Sequence, residues 1–141
     1  MHAHLQSPLI ALATATIFSL SSAAFALYSQ NEQALQVQEQ GDVAYVTGGI
    51  GDEERAELSS MQRDFNLQVM NSGRDGAFTD NTRFEIYDRA GNEVLATEAG
   101  PLLYVQLPPG RYSIAAENEG KRQQKEVRVS SSATSRLHLL W

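Results

Sequence analysis

The sequence predicts a mainly β fold, a single-domain β-sandwich of about seven short strands with one short helix ahead of them. Two observations carry that expectation. From Asp64 onward apolar residues recur at every second position in short runs, the period of a strand with one buried face. Residues that favour turns break those runs about every 8–12 positions, the spacing of sandwiches and small barrels. The chain has 141 residues, room for one domain.

In chain order, the stretch from Leu9 to Ala26 carries no charge and ends in Ala24-Phe25-Ala26, the small-x-small pattern read by a signal peptidase. Residues 1–26 are therefore expected to be a cleaved signal peptide, with the mature chain starting at Leu27. The leading Met1-His2-Ala3-His4 lacks the usual Lys or Arg. An uncleaved anchor is the rival, but the run is rich in Ala, Ser and Thr and lacks the basic flank that holds an anchor in place. His2 and His4 leave with the signal and form no metal pair.

Residues 27–63 read as an N-terminal extension. Leu27 to Gln40 is Gln-rich and weakly patterned, an extended or loosely ordered leader. Asp42 to Thr47 places Val43 and Tyr45 on one side of a short strand. Gly48-Gly49-Ile50-Gly51 reads as a flexible turn. Asp52, Glu53 and Glu54 then oppose the positive end of a helix dipole, with Asp52 as N-cap and Leu58, Met61 and Phe65 at helical spacing.

Residues 64–141 carry the strands. Phe65, Leu67 and Val69 alternate with polar residues, as do Thr82, Phe84 and Ile86. Asp88-Arg89-Ala90-Gly91-Asn92 is a turn by composition. Glu93 to Glu98 is a strand closed by Gly100-Pro101. Leu103, Val105 and Leu107 precede Pro108-Pro109-Gly110, a turn in which glycine can accept positive φ. Tyr112, Ile114 and Ala116 follow, Asn118-Glu119-Gly120 turns again, and Val127 and Val129 end a mostly polar strand. Leu137, Leu139 and Trp141 close the chain, with Trp141 as the last inward residue.

The run from Phe84 to Asn92, then Gly100-Pro101, Leu107-Pro108-Pro109-Gly110-Arg111-Tyr112-Ser113-Ile114 and Val127-Arg128-Val129 resembles the carboxypeptidase regulatory-like family over residues 64–141. Leu-Pro-Pro-Gly-Arg-Tyr is its most specific part. The resemblance implies a seven-stranded transthyretin-like antiparallel Greek-key sandwich. Tyr45 to Glu54 also resembles a segment preceding this module in small exported bacterial proteins of unassigned function. In carboxypeptidases the module is the non-catalytic companion of a zinc peptidase domain, which a chain this short does not hold, and fold alone does not transfer function. Hydroxyisourate hydrolase, an enzyme of transthyretin-like fold, ends in Tyr-Arg-Gly-Ser; this chain ends in Arg136-Leu137-His138-Leu139-Leu140-Trp141.

Composition narrows the function classes. A net charge of −6 and a single short basic stretch, Lys121 to Lys125, give no footprint for nucleic acid or anionic lipid. With no cysteine there is no disulfide, thiolate metal site, cysteine nucleophile or lipidated cysteine. The glycines at 48–51 fit neither the P-loop nor the dinucleotide fingerprint, and the acids that follow would repel phosphate. Asp52, Glu53, Glu54 and Glu57 have no apolar setting to raise a pKa for acid–base work. Asn71 to Gly76 with Asp80 and Asn81 lacks the calcium-loop pattern and contains Arg74. His138 is the one histidine beyond residue 26 and falls on the polar side of its strand, so it is expected in water. No Gly-x-Ser-x-Gly elbow is present. The strands are short for an outer-membrane barrel, which needs about 9–11 residues per strand.

The expectation is a non-enzymatic periplasmic or secreted module with no catalytic, cofactor or metal residues. Its partner is another envelope or secreted protein, reached through loops or an exposed sheet edge. It shows no stable membrane insertion once the signal is cleaved. The alternative is a small enzyme or metal-dependent domain whose site assembles from residues distant in sequence.

Overall fold

In the computed structural model, which describes residues 35–141, nine strands and one α-helix build two sheets. The signal-peptide expectation for 1–26 and the start of the Gln-rich leader, 27–34, lie outside the described residues. The strands are β1 (Gln38–Gln40), β2 (Val43–Gly48), β3 (Leu67–Ser72), β4 (Thr82–Tyr87), β5 (Glu93–Ala99), β6 (Leu102–Gln106), β7 (Gly110–Asn118), β8 (Lys121–Val129) and β9 (Ser135–Leu140). Helix α1 spans Asp52–Met61, and a 3-10 turn, Gln62–Asp64, follows it. One sheet has the order β1-β2-β6-β3-β9 and the other β5-β4-β7-β8.

The strand count is nine, where the sequence predicts seven. Two of the nine, β1 and β2, come from the extension, where a short strand is expected over Asp42 to Thr47 but none at β1. Gln38–Gln40 pairs with β2, and β2 pairs with β6 inside the five-stranded sheet. Leu35–Trp141 is one compact unit. The sheets are also not purely antiparallel. β9 runs parallel to β3, Leu67 opposite Ser135 through Ser72 opposite Leu140. β9 arrives from β8 in the other sheet, so no hairpin forces it antiparallel.

Period-two patterning decides the core. Phe84 and Ile86 on β4, Leu103 and Val105 on β6, Val69 on β3 and Leu139 on β9 are all at most 1% exposed and meet between the sheets. Val43, Tyr45, Leu107, Tyr112 and Ile114 join them, and half-buried Trp141 packs against the cluster. Each Leu or Phe so buried stabilises by about 1.5–3 kcal/mol.

The outward side of the five-stranded sheet is half apolar too, and α1 covers that half. Val46, Leu58, Phe65 and Tyr104 form a second small core with Leu35, Met61 and Leu102 packed against it. The helix starts on Gly51 as N-cap, not on Asp52 as expected, and no side chain caps it. Asp52 pairs instead with Arg55, one turn on. The glycine turn before α1 is tied down by the helix it precedes. Glu54 accepts from the Gly49 amide at 2.9 Å, and Arg55 donates to the Gly49 and Ile50 carbonyls at 2.9 and 3.0 Å. Gly49 itself has φ +103, and a Cβ there would lie 3.1 Å from Leu102, so only glycine fits.

Side-chain amides stitch the sheets together where backbone pairing stops. Gln40 donates to the Ala96 carbonyl at 3.1 Å and accepts from its amide at 2.7 Å, mimicking one strand residue on the β5 edge. Asn66 does the same for Leu107, at 2.7 and 2.9 Å. Buried Asn71 donates to the Gly100 carbonyl, and Asn118 to the Asp80 carbonyl and the Thr82 hydroxyl. Gly110 departs from expectation: its φ is not positive. It opens β7 opposite Val129, and Tyr112 fixes the turn by donating to the Pro108 carbonyl at 2.6 Å. The β7–β8 turn does need positive φ, at Glu119 (φ 47) and Gly120 (φ 79), the type I′ pattern.

Candidate functional site

The half of the outer five-stranded face that α1 leaves open carries a groove of about 310 Å³. Register defines its floor. Leu102 on β6 lies beside Met70 on β3, which lies beside His138 on β9. In the next row Tyr104, Gln68 and Arg136 stand side by side. Leu140, opposite Ser72, extends the strip. Met70 is 40% exposed and Leu140 49%. Both sit at positions whose side chains point away from the main core, because Val69 and Leu139 occupy the inward phase.

Polar groups rim this apolar strip. Arg136 Nε donates to Gln68 Oε1 at 3.2 Å. Burial pushes the Tyr104 phenol up, and the nearby Arg136 charge partly opposes that. His138 Nε2 lies 2.6 Å from the Ser72 hydroxyl. The histidine is exposed as expected, but it is not simply solvated, and the serine is 6% exposed. On the α1 side, Arg55 stacks over Phe78 with its guanidinium carbon 5.0 Å from the ring centroid.

No family model matches the chain, and no curated protein does. Among solved structures, BcpA, the major pilin subunit of Bacillus cereus, is similar over 52% of this chain and 27% of its own, at 15% identity and a TM-score of 0.44. The chain thus spans about a quarter of that pilin's length.

The other residues singled out in the sequence have structural duties. Asp52 and Glu54 serve the turn and the helix start, as described, while Glu53 is exposed. Asn71 spends its amide on Gly100 and accepts from Trp141 Nε1 at 3.4 Å. Asp75 accepts from the Ala77 amide within its own loop, and the Asp80 carbonyl is taken by Asn118. Among the described residues no cluster of His, Cys, Asp and Glu has the makings of a metal site. Among them, too, no helix is long and apolar enough to cross a membrane.

The strip and the Ser72–His138 contact were not legible in the sequence. Ser72 and His138 are 66 positions apart and meet only through parallel pairing of β3 with β9. Met70 and Leu140 break the polar phase of their strands, and that misfit was the available signal.

Proposed function

We propose that the chain is a non-catalytic, exported interaction module of the bacterial cell envelope, docking a partner protein on the open strip of the five-stranded sheet. The strip of exposed Met70 and Leu140 beside half-buried Leu102 carries the reading, since exposed apolar surface rimmed by polar groups marks interaction sites. Arg136 places a cation on its rim, so the occupant is an apolar segment of a partner protein flanked by an acidic residue. The β5 edge is a poorer place to dock, because the Gln40 amide already occupies Ala96 there. The Ala24-Phe25-Ala26 ending supports export. The Leu-Pro-Pro-Gly-Arg-Tyr resemblance supports a carboxypeptidase regulatory-like, transthyretin-like origin for residues 64–141.

A photo-crosslinking residue at position 70 in native cells tests the proposal, with position 56, exposed on α1, as comparison. One discrete adduct from position 70 and none from 56 is expected. Equal labelling from both positions would sink the assignment.

The Ser72–His138 contact favours a second reading, a hydrolase acting on acyl esters that the strip would hold. Its other requirements are poorly met. Ser72 is buried, and nearby backbone amides are already spent: Gly73 on the Ala77 carbonyl, Arg74 on that of Trp141, and Trp141 on that of Ser72. Incubation with a fluorophosphonate should leave Ser72 unmodified; stoichiometric labelling abolished by His138→Ala would make the enzyme reading the better one.

A further inference from the structure

The four-stranded sheet carries a second surface feature, independent of the strip. Its outer face is set by register: Arg83, Glu85 and Tyr87 on β4 lie beside Glu117, Ala115 and Ser113 on β7, and these beside Arg122, Gln124 and Glu126 on β8. Toward one end the arginines are neutralised. Glu85 pairs with Arg83 at 3.3 Å and Arg122 at 3.7 Å, and Glu117 with Arg122 at 3.9 Å.

At the other end the pattern reverses. Arg111 and Arg128 stand directly opposite each other, which puts their Cβ atoms about 5 Å apart and sets like charges face to face. Arg89, on the turn after β4, lines the same groove of about 490 Å³. Among the described residues none of the three forms an ion pair. In a chain with 17 acidic residues against 11 basic ones, this uncompensated concentration runs against the average charge.

Of the two carboxylates lining the groove, Asp88 is committed elsewhere. Its Oδ1 accepts from the Ala90 and Asn92 amides, both at 2.9 Å, and its Oδ2 from Asn92 Nδ2 at 3.3 Å. That turn holds Arg89 in place. Glu126 lies one row away, opposite Ser113. Three arginines against Asp88 and Glu126 leave the groove a formal charge of +1. That matches one monoanion and rejects a polyanion. Guanidinium forks suit a carboxylate, which accepts two parallel N–H bonds.

We propose that this groove is a carboxylate-binding site, in which Arg111 and Arg128, with Arg89, hold a single carboxylate of a bound peptide. The carboxylate comes from an acidic side chain or a free C-terminus. Like-charge repulsion in the empty groove is relieved when the anion arrives.

The test is a titration of the full mature chain, read by backbone amide and arginine Nε–H NMR shifts. The probes are acetyl-Gly-Glu-Val-Gly-amide, its Gln counterpart, acetyl-Gly-Gln-Val-Gly with a free carboxyl terminus, and inorganic phosphate. The Glu peptide or the free-terminus peptide should shift Arg111 and Arg128, and whichever binds names the source. The neutral amidated Gln peptide should bind at least about tenfold more weakly. Arg111→Gln and Arg128→Gln should each weaken binding about tenfold or more while leaving the melting temperature equal or higher, because a repulsion is removed. Equal binding of the neutral peptide, tighter binding of phosphate, or a fall in melting temperature in both variants would overturn the proposal.

Discussion

Asn66→Ala removes one residue that replaces a piece of sheet, and the structure gives the size of the effect. Leu107 follows the last residue of β6 and has no strand partner for its amide or carbonyl. The Asn66 amide takes both, donating at 2.7 Å and accepting at 2.9 Å, while Leu107 is 2% exposed. A buried polar group left without a partner costs about 1–3 kcal/mol. Two such groups would set a ceiling near 6, but Asn66 is half-buried and water can partly replace it. The expected loss is therefore about 2–4 kcal/mol, a large share of the 5–15 kcal/mol typical of a domain. Asn66→Asp should cost at least as much, since a carboxylate can accept from the amide but is set against the carbonyl. Gln106→Ala, an exposed neighbour, should stay within about 0.5 kcal/mol of the parent. Urea unfolding followed by fluorescence of Trp141, the chain's single tryptophan, measures all three. Equal stability of Asn66→Ala and Gln106→Ala would refute the claim that this amide acts as a strand partner.

Three further outcomes follow from other parts of the fold. Leu58→Ala should cost about 2–5 kcal/mol in the same assay, because Leu58 is fully buried between α1 and the sheet; a neutral result would mean the helix does not pack there. Glu119→Asn should raise stability by up to about 1 kcal/mol, since asparagine tolerates positive φ better than glutamate; a loss would mean that Glu119 makes up for its strain elsewhere. Hydrogen bonds from Asn92 hold the Asp88 carboxyl below the usual range, and the Tyr87 hydroxyl does so for Glu85. Groups whose folded pKa is depressed contribute stability above the unfolded carboxyl range, about pH 4, and lose it as pH falls through the lower folded values. Melting temperature should thus hold from pH 7 to about 5 and drop below about 4, with a shallower drop in Asp88→Asn; identical acid limbs in parent and variant would contradict this.

What the sequence disclosed was the part written in local periodicity. Phe84-Ile86, Leu103-Val105 and Tyr112-Ile114 were legible because strand alternation places them inward whatever the topology. Leu58 was legible through helical spacing, although the surface it covers was not; Phe65 joins it from extended backbone beyond the helix, off the inward face of Leu67 and Val69 on which strand alternation placed it. β1 was missed because three exposed residues, Gln38 to Gln40, carry no hydrophobic signal; pairing with β2 alone defines them. Gln40, Asn66 and Asn71 read as polar surface, since no local pattern shows an amide bound for a backbone 56, 41 or 29 positions away. The arginine groove was invisible for a related reason: Arg111 and Arg128 become neighbours only through the β7–β8 register.

The open strip on the five-stranded sheet is the centre of the functional account, and substitution there tests it most directly. The partner crosslinked from position 70 is to be purified, and its affinity measured for the parent, Met70→Lys and Leu140→Lys. Both side chains are substantially exposed, so each variant should unfold within about 0.5 kcal/mol of the parent. Each should bind the partner at least about tenfold more weakly, because a lysine would be buried against an apolar segment. Unchanged affinity in both variants, with stability intact, would contradict the account.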